Sequence, residues 1–364
     1  MRRLKERSRL SNLRGSMVSR GDCFLLTSAS AIYYFSGFKN GEGMVLIPFE
    51  GENAIVTDGR YETQIEEEVD SGLFNILITP TGEYLKTLKE KIPYFSRLCV
   101  EDKSLLLENF LEIKEFWPGV EIVPTSDLIL EIRSLKEEGE ILLIKKAVKI
   151  TEKAIKEVLP LIKVGISEND VAAEITYRQK KMGAEGDAFS LQVLAASHSA
   201  LPHGRAGERI IKKGDLLQFD IGCVYEGYHS DISRAVVVGD RPTDEQKKIH
   251  QIVLDIQEQM IASIKPGVKL DELFFRHRDL LKSAGYEDRH SLGHGVGLEI
   301  HEWPSLGARI KRKFKAAPGQ VFTVEPGIYL PGWGGIRIED MVLVTEDGHK
   351  VLTRFPKDLA VLDV

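Results

Sequence analysis

Two aspartates, Asp220 and Asp231, flank a turn-forming stretch within Gln218-Phe-Asp-Ile-Gly-Cys-Val-Tyr-Glu-Gly-Tyr-His-Ser-Asp-Ile-Ser-Arg234. The apolar runs at 216–219 and 232–238 read as strands, and Gly222 and Gly227 supply the turn between them. Such a hairpin holds two carboxylates at one level of a sheet. Held together they repel, and burial raises the cost of ionising both. Either they share a proton or a cation lies between them. Aspartate also commonly opens a turn, so this stretch alone does not decide between chemistry and structure.

The rest of the chain adds partners. Glu325 ends the apolar run Val321-Phe-Thr-Val324, and Glu339 follows across a glycine-rich turn containing Gly332, Gly334 and Gly335. Between the two acidic hairpins lies His290-Ser-Leu-Gly-His-Gly-Val-Gly-Leu-Glu-Ile-His301. Its glycines argue against a helix, so His290 and His294 do not form the helical zinc pattern His-Glu-x-x-His. His203 sits in a loop just before the first acidic strand. Four carboxylates with one or more imidazoles suit Mn²⁺, Co²⁺ or Zn²⁺ rather than a thiolate site. Four exceed what one catalytic ion usually needs, whereas two ions roughly 3.5–4 Å apart use them all. Such a pair activates water and polarises a carbonyl, which points to hydrolysis of an amide bond.

The elements that must position these residues form an α/β chain. Residues 1–125 alternate strands, at 22–27, 43–48, 54–57, 74–78 and 97–101, with helical segments at 60–69 and 82–91. No chemistry is evident there. The aromatic stretch Ile32-Tyr-Tyr-Phe-Ser-Gly-Phe38 reads as core with a turn at Gly37, rather than as a wall lent to a site. Composition shifts near Pro124. Ser134-Leu-Lys-Glu137 reads as a capping box opening a long helix to about Leu159, and a second helix starts near Ser167. An internal repeat follows. Ile162-Lys-Val-Gly165 recurs as Ile264-Lys-Pro-Gly267, after a long helix opened by the capping box Thr243-Asp-Glu-Gln246. Gly214-Asp-Leu-Leu-Gln-Phe-Asp220 has a counterpart in Gly319-Gln-Val-Phe-Thr-Val-Glu325. A duplicated α/β unit accounts for the shared order of elements, and pseudo-symmetry would then bring Asp220 and Glu325 together.

The motifs Phe-Asp-x-Gly, Ser-Asp-Ile-x-Arg, Gly-His-Gly-Val-Gly-Leu-Glu-Ile-His-Glu, Val-Glu-Pro-Gly-Ile-Tyr and Gly-Ile-Arg-Ile-Glu-Asp resemble those of the M24 "pita-bread" metallopeptidases. Tyr34-Phe-Ser-Gly-Phe38 and Thr57-Asp-Gly-Arg-Tyr61 resemble the creatinase/prolidase N-terminal domain, which points to the proline-specific branch. The resemblance implies an N-terminal domain at 1–128 and a pita-bread catalytic domain with duplicated halves at 129–364. It implies two divalent ions per chain, Mn²⁺ first, with Co²⁺ or Zn²⁺ as alternatives. Asp220 would chelate one ion, Asp231 and Glu339 would bridge both, and His294 and Glu325 would hold the second. Glu325 would also take the proton from the attacking water. His203 and His301 would line the substrate site and assist catalysis, and His290 would belong to the substrate pocket. Arg337 would orient a ligand carboxylate or bind a substrate carboxylate. One departure is local: the family often has a glycine-containing turn upstream of His203, where this chain reads Val193-Leu-Ala-Ala-Ser-His-Ser-Ala-Leu-Pro-His203.

Proline selectivity suits such a site, because the nitrogen of an Xaa-Pro bond has no N–H for ordinary peptidase contacts. Tyr228, Trp303, Trp333 and Phe38 are candidate walls for the pyrrolidine, each with core packing as the simpler role. The expected substrates are short proline-containing peptides. Xaa-Pro aminopeptidase is the first reading and Xaa-Pro dipeptidase (prolidase) the second. A non-catalytic binding module on the same fold would be expected to lose ligands, and none is lost. A creatinase-like hydrolase fits less well with a complete ligand set. A net charge of −6 over 364 residues with no long basic stripe argues against nucleic acid. No apolar run approaches the ~20 residues of a membrane span. The basic N-terminus lacks an apolar core, which argues against a secretory signal. Three scattered cysteines fit a reducing compartment, the cytoplasm. A homodimer is implied by the resemblance.

Overall fold

The computed structural model describes residues 2–19, 22–39, 41–91, 95–307 and 314–363. The chain divides into two compact units, Met1–Arg133 and Ser134–Val364. The division falls at the end of the helix Ser126–Ser134, where the expected 128/129 boundary would have fallen inside it.

The first unit is built on one mixed six-stranded sheet. In spatial order its strands are Phe74–Thr79, Asn53–Asp58, Met44–Pro48, Asp22–Leu26, Arg97–Val100 and Glu121–Pro124. The five expected strands are present, each within a residue or so of its expected limits. Glu121–Pro124 and the helices Leu107–Phe116 and Ser126–Ser134 are additions that polar, weakly periodic sequence concealed. The aromatic stretch forms a helix, Ala29–Ser36. It starts at Ser28, whose hydroxyl accepts from Ala31 N, and ends at Gly37 with φ 81°. Only glycine enters that left-handed region without strain. Tyr34, Phe35 and Phe38 are buried, as the core reading expects.

The second unit contains two copies of one arrangement. In the first, the helices Glu138–Val158 and Glu168–Lys181 precede the strands Gln192–Ala195, Leu216–Ile221 and Ile232–Val238. In the second, Asp244–Ala262 and Leu270–Ser283 precede Gly293–Gly295, Val321–Val324 and Asp340–Val344. Each strand trio is adjacent in the same order within its own sheet. The repeat extends to single hydrogen bonds. Gly165 N donates to Ile211 O and Gly267 N to Ala316 O. Gly214 N donates to Val238 O and Gly319 N to Val344 O, with φ of 85° and 89° at the two donors. Each helix pair covers one sheet. Ile155, Val171 and Ile175 pack with Leu217, Phe219 and Ile221 in one cluster, and Ile249, Val253 and Leu273 pack with Phe322 and Val324 in another. Because side chains alternate along a strand, burial of Leu217, Phe219 and Ile221 against the helices turns Gln218 and Asp220 to the opposite face.

Two local expectations need correction. Ser134 does not open the long helix but closes the preceding one. Leu135 forms a bridge with Gln320 and Lys136 N donates to Gly319 O, so the chain there is extended, and the helix is capped by Glu137 with Glu140 reaching back to its N–H. Gly222 makes no turn. A Cβ there would lie 2.0 Å from Ser230 O, so close backbone approach demands glycine. The reversal is at Glu226 and Gly227, both with positive φ, in a small ribbon formed by Cys223–Tyr225 and Tyr228–His229. The boxes at Ser167 and Thr243 form as expected.

His277, on the helix Leu270–Ser283, is buried with neither ring nitrogen hydrogen-bonded. Burial lowers its pKa to about 4. The folded state therefore binds fewer protons than the unfolded one, and stability is lost as pH falls from about 6.5 towards 4. His277→Leu is expected to raise the unfolding free energy at every pH, and by about 2 kcal/mol more at pH 5 than at pH 8. An equal gain at both values, measured by calorimetry, would refute this account.

Candidate metal centre

The antiparallel pairing of Leu216–Ile221 with Ile232–Val238 sets Asp220 opposite Ser233. Asp231 lies two residues before Ser233 and so shares its face. In the second sheet Val324 pairs with Asp340, and the flanking residues Glu325 and Glu339 extend that register. The two carboxylate pairs are tied together directly. Ser233 Oγ lies 2.9 Å from Asp220 Oδ1 and 2.8 Å from Glu339 Oε2, and it accepts from Arg337 Nε at 2.8 Å. The backbone adds Glu339 N to Ser233 O at 3.2 Å, and Arg337 N to Gln218 Oε1 at 2.9 Å.

His294 faces these acids from the bulged strand Gly293–Gly295. Its Nδ1 lies 3.2 Å from Gly295 O, so Nδ1 carries the proton and Nε2 presents a lone pair. That Nε2 lies 3.5 Å from Glu325 Oε1 and 3.6 Å from Asp231 Oδ2. Two acceptors at that separation repel unless a cation lies between them. Asp231 Oδ1 and Glu339 Oε1 are buried with no hydrogen-bond donor. Ligand atoms of Asp231, His294 and Glu339 all lie within 4.8 Å of one another. Burial, and then the neighbouring carboxylates, push Asp231 and Glu339 well above the ordinary carboxylate range, and burial raises Glu325 as well. Burial also lowers His294, keeping its ring neutral. Oxygen ligands, one neutral imidazole and two orphaned buried oxygens fit a divalent cation.

All nine residues singled out in the sequence converge here. His290 is wedged behind Glu325, with Nδ1 3.9 Å from Glu325 Oε2 and 2.7 Å from Ser291 O, and Nε2 2.9 Å from the Tyr329 hydroxyl. His301 is exposed, and its ring meets that of His294 edge-on at 4.3 Å between centroids. Partial burial of the ring, then His294 and His203, lower its pKa to about 4. His203 is exposed on the loop after Ala196–Ala200. Of the two roles left open for Arg337, the geometry favours orienting a ligand. Its Nη2 lies 2.5 Å from Asp220 Oδ2, and Nη1 donates to Tyr329 Oη at 2.7 Å and Pro202 O at 3.2 Å. In the stretch before His203, Ala196 is held at φ 44°. Glu168, fully buried, anchors this loop through Ala195 N, Gly207 N and His198 Nδ1.

Several supporting residues carried no signal of their own. Gln192 donates to Asp220 Oδ2, and Thr323 Oγ1 accepts from His294 N and lies 3.4 Å from Glu325 Oε1. Arg234 holds the Glu339 carbonyl at 2.6 Å and the Asp340 carboxylate at 2.8 Å. Ser233, Arg234, Tyr329 and Asp340 lay inside the quoted motifs, and that adjacency was the available clue. The candidate apolar walls are structural: the Tyr228 hydroxyl donates to Glu140, Trp303 stacks on Phe314, Trp333 packs at the edge of the core, and Phe38 is fully buried in the first unit. The cysteines are free and buried, and among the described residues no helix is long and apolar enough to cross a membrane.

A buried cluster of carboxylates and one imidazole between duplicated α/β halves defines a metallohydrolase centre. The chain belongs to metallopeptidase family M24, which residues 143–346 match, and residues 9–135 match the creatinase/prolidase N-terminal domain. It is 39% identical over 336 residues to the Xaa-Pro dipeptidase of Pyrococcus furiosus, covering 90% of this chain and 92% of that one. The structure of an X-Pro aminopeptidase from Thermotoga maritima superposes with a TM-score of 0.87 at 35% identity, covering 97% of this chain and 99% of that chain. That of an Xaa-Pro dipeptidase from Bacillus anthracis superposes with a TM-score of 0.89 at 36% identity, covering 98% and 100%.

Proposed function

We propose that this metallopeptidase hydrolyses Xaa-Pro bonds in short peptides at a site for two divalent ions, Mn²⁺ first. Asp220, Asp231, His294, Glu325 and Glu339 are the ligands. The observation that carries the reading is the bare His294 Nε2 facing two carboxylate oxygens, beside the orphaned oxygens of Asp231 and Glu339. When bound, the ions supply Lewis acidity and an activated water. Glu325, its basicity raised by burial, takes a proton from the attacking water. His301, a neutral imidazole at neutral pH, and His203 stand at the exposed edge. There their ring N–H groups stabilise the tetrahedral oxyanion or assist transfer to the leaving proline nitrogen of the proton that Glu325 has taken up. His290 holds Glu325 from behind, and Arg337 holds Asp220. As in the sequence reading, the protein works in the cytoplasm as a homodimer.

The first reading is an aminopeptidase acting on the N-terminal Xaa-Pro bond. Its support is Arg337, which is committed to Asp220 and so does not serve the C-terminal carboxylate of a dipeptide. The second reading, a dipeptidase, is supported by the relatives that bear that name. Ala-Pro and Ala-Pro-Ala offered to metal-stripped protein reconstituted with Mn²⁺ separate the two. Release of Ala from the tripeptide is expected. Cleavage of Ala-Pro alone would establish the dipeptidase, and cleavage of neither by metal-loaded protein would remove proline specificity.

A further inference from the structure

Glu302 follows His301 in the chain, yet its side chain is turned inward and is 2% exposed. The loop 295–302 is folded around its carboxylate. Glu299 N donates to Glu302 Oε2 at 3.4 Å, and Gly297 N donates to Glu299 O at 3.1 Å. A Cβ on Gly297 would lie 2.3 Å from Glu302 Oε1, so glycine is required for the carboxylate to enter. His229 closes the loop from outside, with its N–H and Nδ1 2.9 and 3.1 Å from Gly297 O. Lys136 places a cation against the carboxylate: its Nζ lies 2.6 Å from Glu302 Oε1 and its side chain is 1% exposed. Lys136 is itself fixed to the second sheet, because its N–H donates to Gly319 O and Leu135 bridges Gln320, just before the strand Val321–Val324. That strand leads into Glu325 and carries Thr323.

We propose that Lys136 is a positioning residue for His301, acting through Glu302; the inference rests on the peptidase reading, in which His301 faces the substrate. The ion pair refers the loop to the same sheet that sets Glu325, so the two sides of the reaction share one frame. Loss of one partner from a buried ion pair leaves the other charge undercompensated. Removal of Lys136 therefore loosens the hold on the carboxylate and with it the loop whose ends bear His294 and His301.

Lys136→Met, Glu302→Gln and the double variant test this in the full chain. In metal-free protein, amide exchange in 295–302 is expected to be at least tenfold faster in Lys136→Met than in the wild type, with 216–238 unchanged. The double variant is expected to regain most of that protection, because neither member of the pair is then buried without the other. Loaded with Mn²⁺, Lys136→Met is expected to lose at least tenfold in kcat on an Xaa-Pro peptide, with KM within threefold. Unchanged exchange in 295–302, or equal acceleration throughout 134–364, overturns the proposal, and so does a kcat within threefold of wild type. If Lys136→Met does not fold, the double variant must fold with near wild-type exchange, and failure of both makes the pair a general stabiliser and overturns the proposal. If the wild type cleaves no Xaa-Pro peptide, the peptidase reading fails alone, and the exchange comparison still decides whether Lys136 holds the loop.

Discussion

Metal-free protein carrying Asp231→Asn is expected to melt above the metal-free wild type at pH 8 and to gain nothing from Mn²⁺. Asp231 and Glu339 have folded-state pKa values raised by burial and then by neighbouring carboxylates, chiefly Glu339 and Asp220 for Asp231, and Glu325 and Asp220 for Glu339. For such acids stability is fully present below the unfolded pKa and is lost as pH rises through the folded one. Metal-free wild type should therefore weaken as pH climbs from about 4 through neutrality. The effective penalty for a buried, unpaired ion is several kcal/mol, and asparagine removes one such ion without changing the shape of the site. Cations reverse the order, since they turn mutual repulsion into shared attraction. At a hundred times its dissociation constant a ligand adds about 2.7 kcal/mol, roughly 5–10 °C for a unit of this size. Scanning calorimetry at pH 5 and pH 8, with chelator and with Mn²⁺, gives four midpoints for each protein. A metal-free Asp231→Asn that melts below the metal-free wild type at pH 8 would mean that the carboxylates are not in conflict, and the metal assignment would lose its physical basis.

The second large effect is on rate. Glu325→Gln is expected to lower kcat on an Xaa-Pro peptide about 10³-fold, within the 10²–10⁴ range of a removed general base, with KM changed much less. Glutamine keeps the side-chain length and the contact with Thr323 Oγ1 at Oε1, but it cannot take a proton from water. Glu325 is also a proposed ligand, so metal content must be measured beside kcat. A loss of rate at full metal occupancy isolates proton transfer, whereas a loss that follows metal content assigns Glu325 to binding alone. A variant within tenfold of wild type at full occupancy would move the base elsewhere. His290, wedged behind Glu325 and bonded to Tyr329, is the neighbouring group to test next.

The sequence by itself determined the fold class, the duplicated second half and the set of polar residues at the centre. It could do so because these are matters of local pattern. Short, largely apolar runs specify Ile232–Val238 and Val321–Val324, and glycines with φ near 85° recur at Gly214 and Gly319 because the same reversal occurs twice. The carboxylates are legible because acids at the ends of apolar strands run against burial and need a reason to be there.

Only the tertiary structure decided what each polar group touches. Arg337 was open to two roles until the two-stranded ribbon of Gly327–Leu330 and Gly334–Arg337 brought it within 2.5 Å of Asp220. Ser233 carries no local signal, yet it reaches Glu339, 106 residues away, and ties it to Asp220. The start of the long helix moved from Ser134 to Glu137 because Leu135 and Lys136 were drawn into contacts with Gln320 and Gly319. Lys136 and Glu302 lie 166 residues apart, and neither is conspicuous alone. The physical reason is common to all four. Capping and alternation act over a few residues, whereas the partner of a buried charge is chosen by which distant strand delivers an opposite charge to the same dry space.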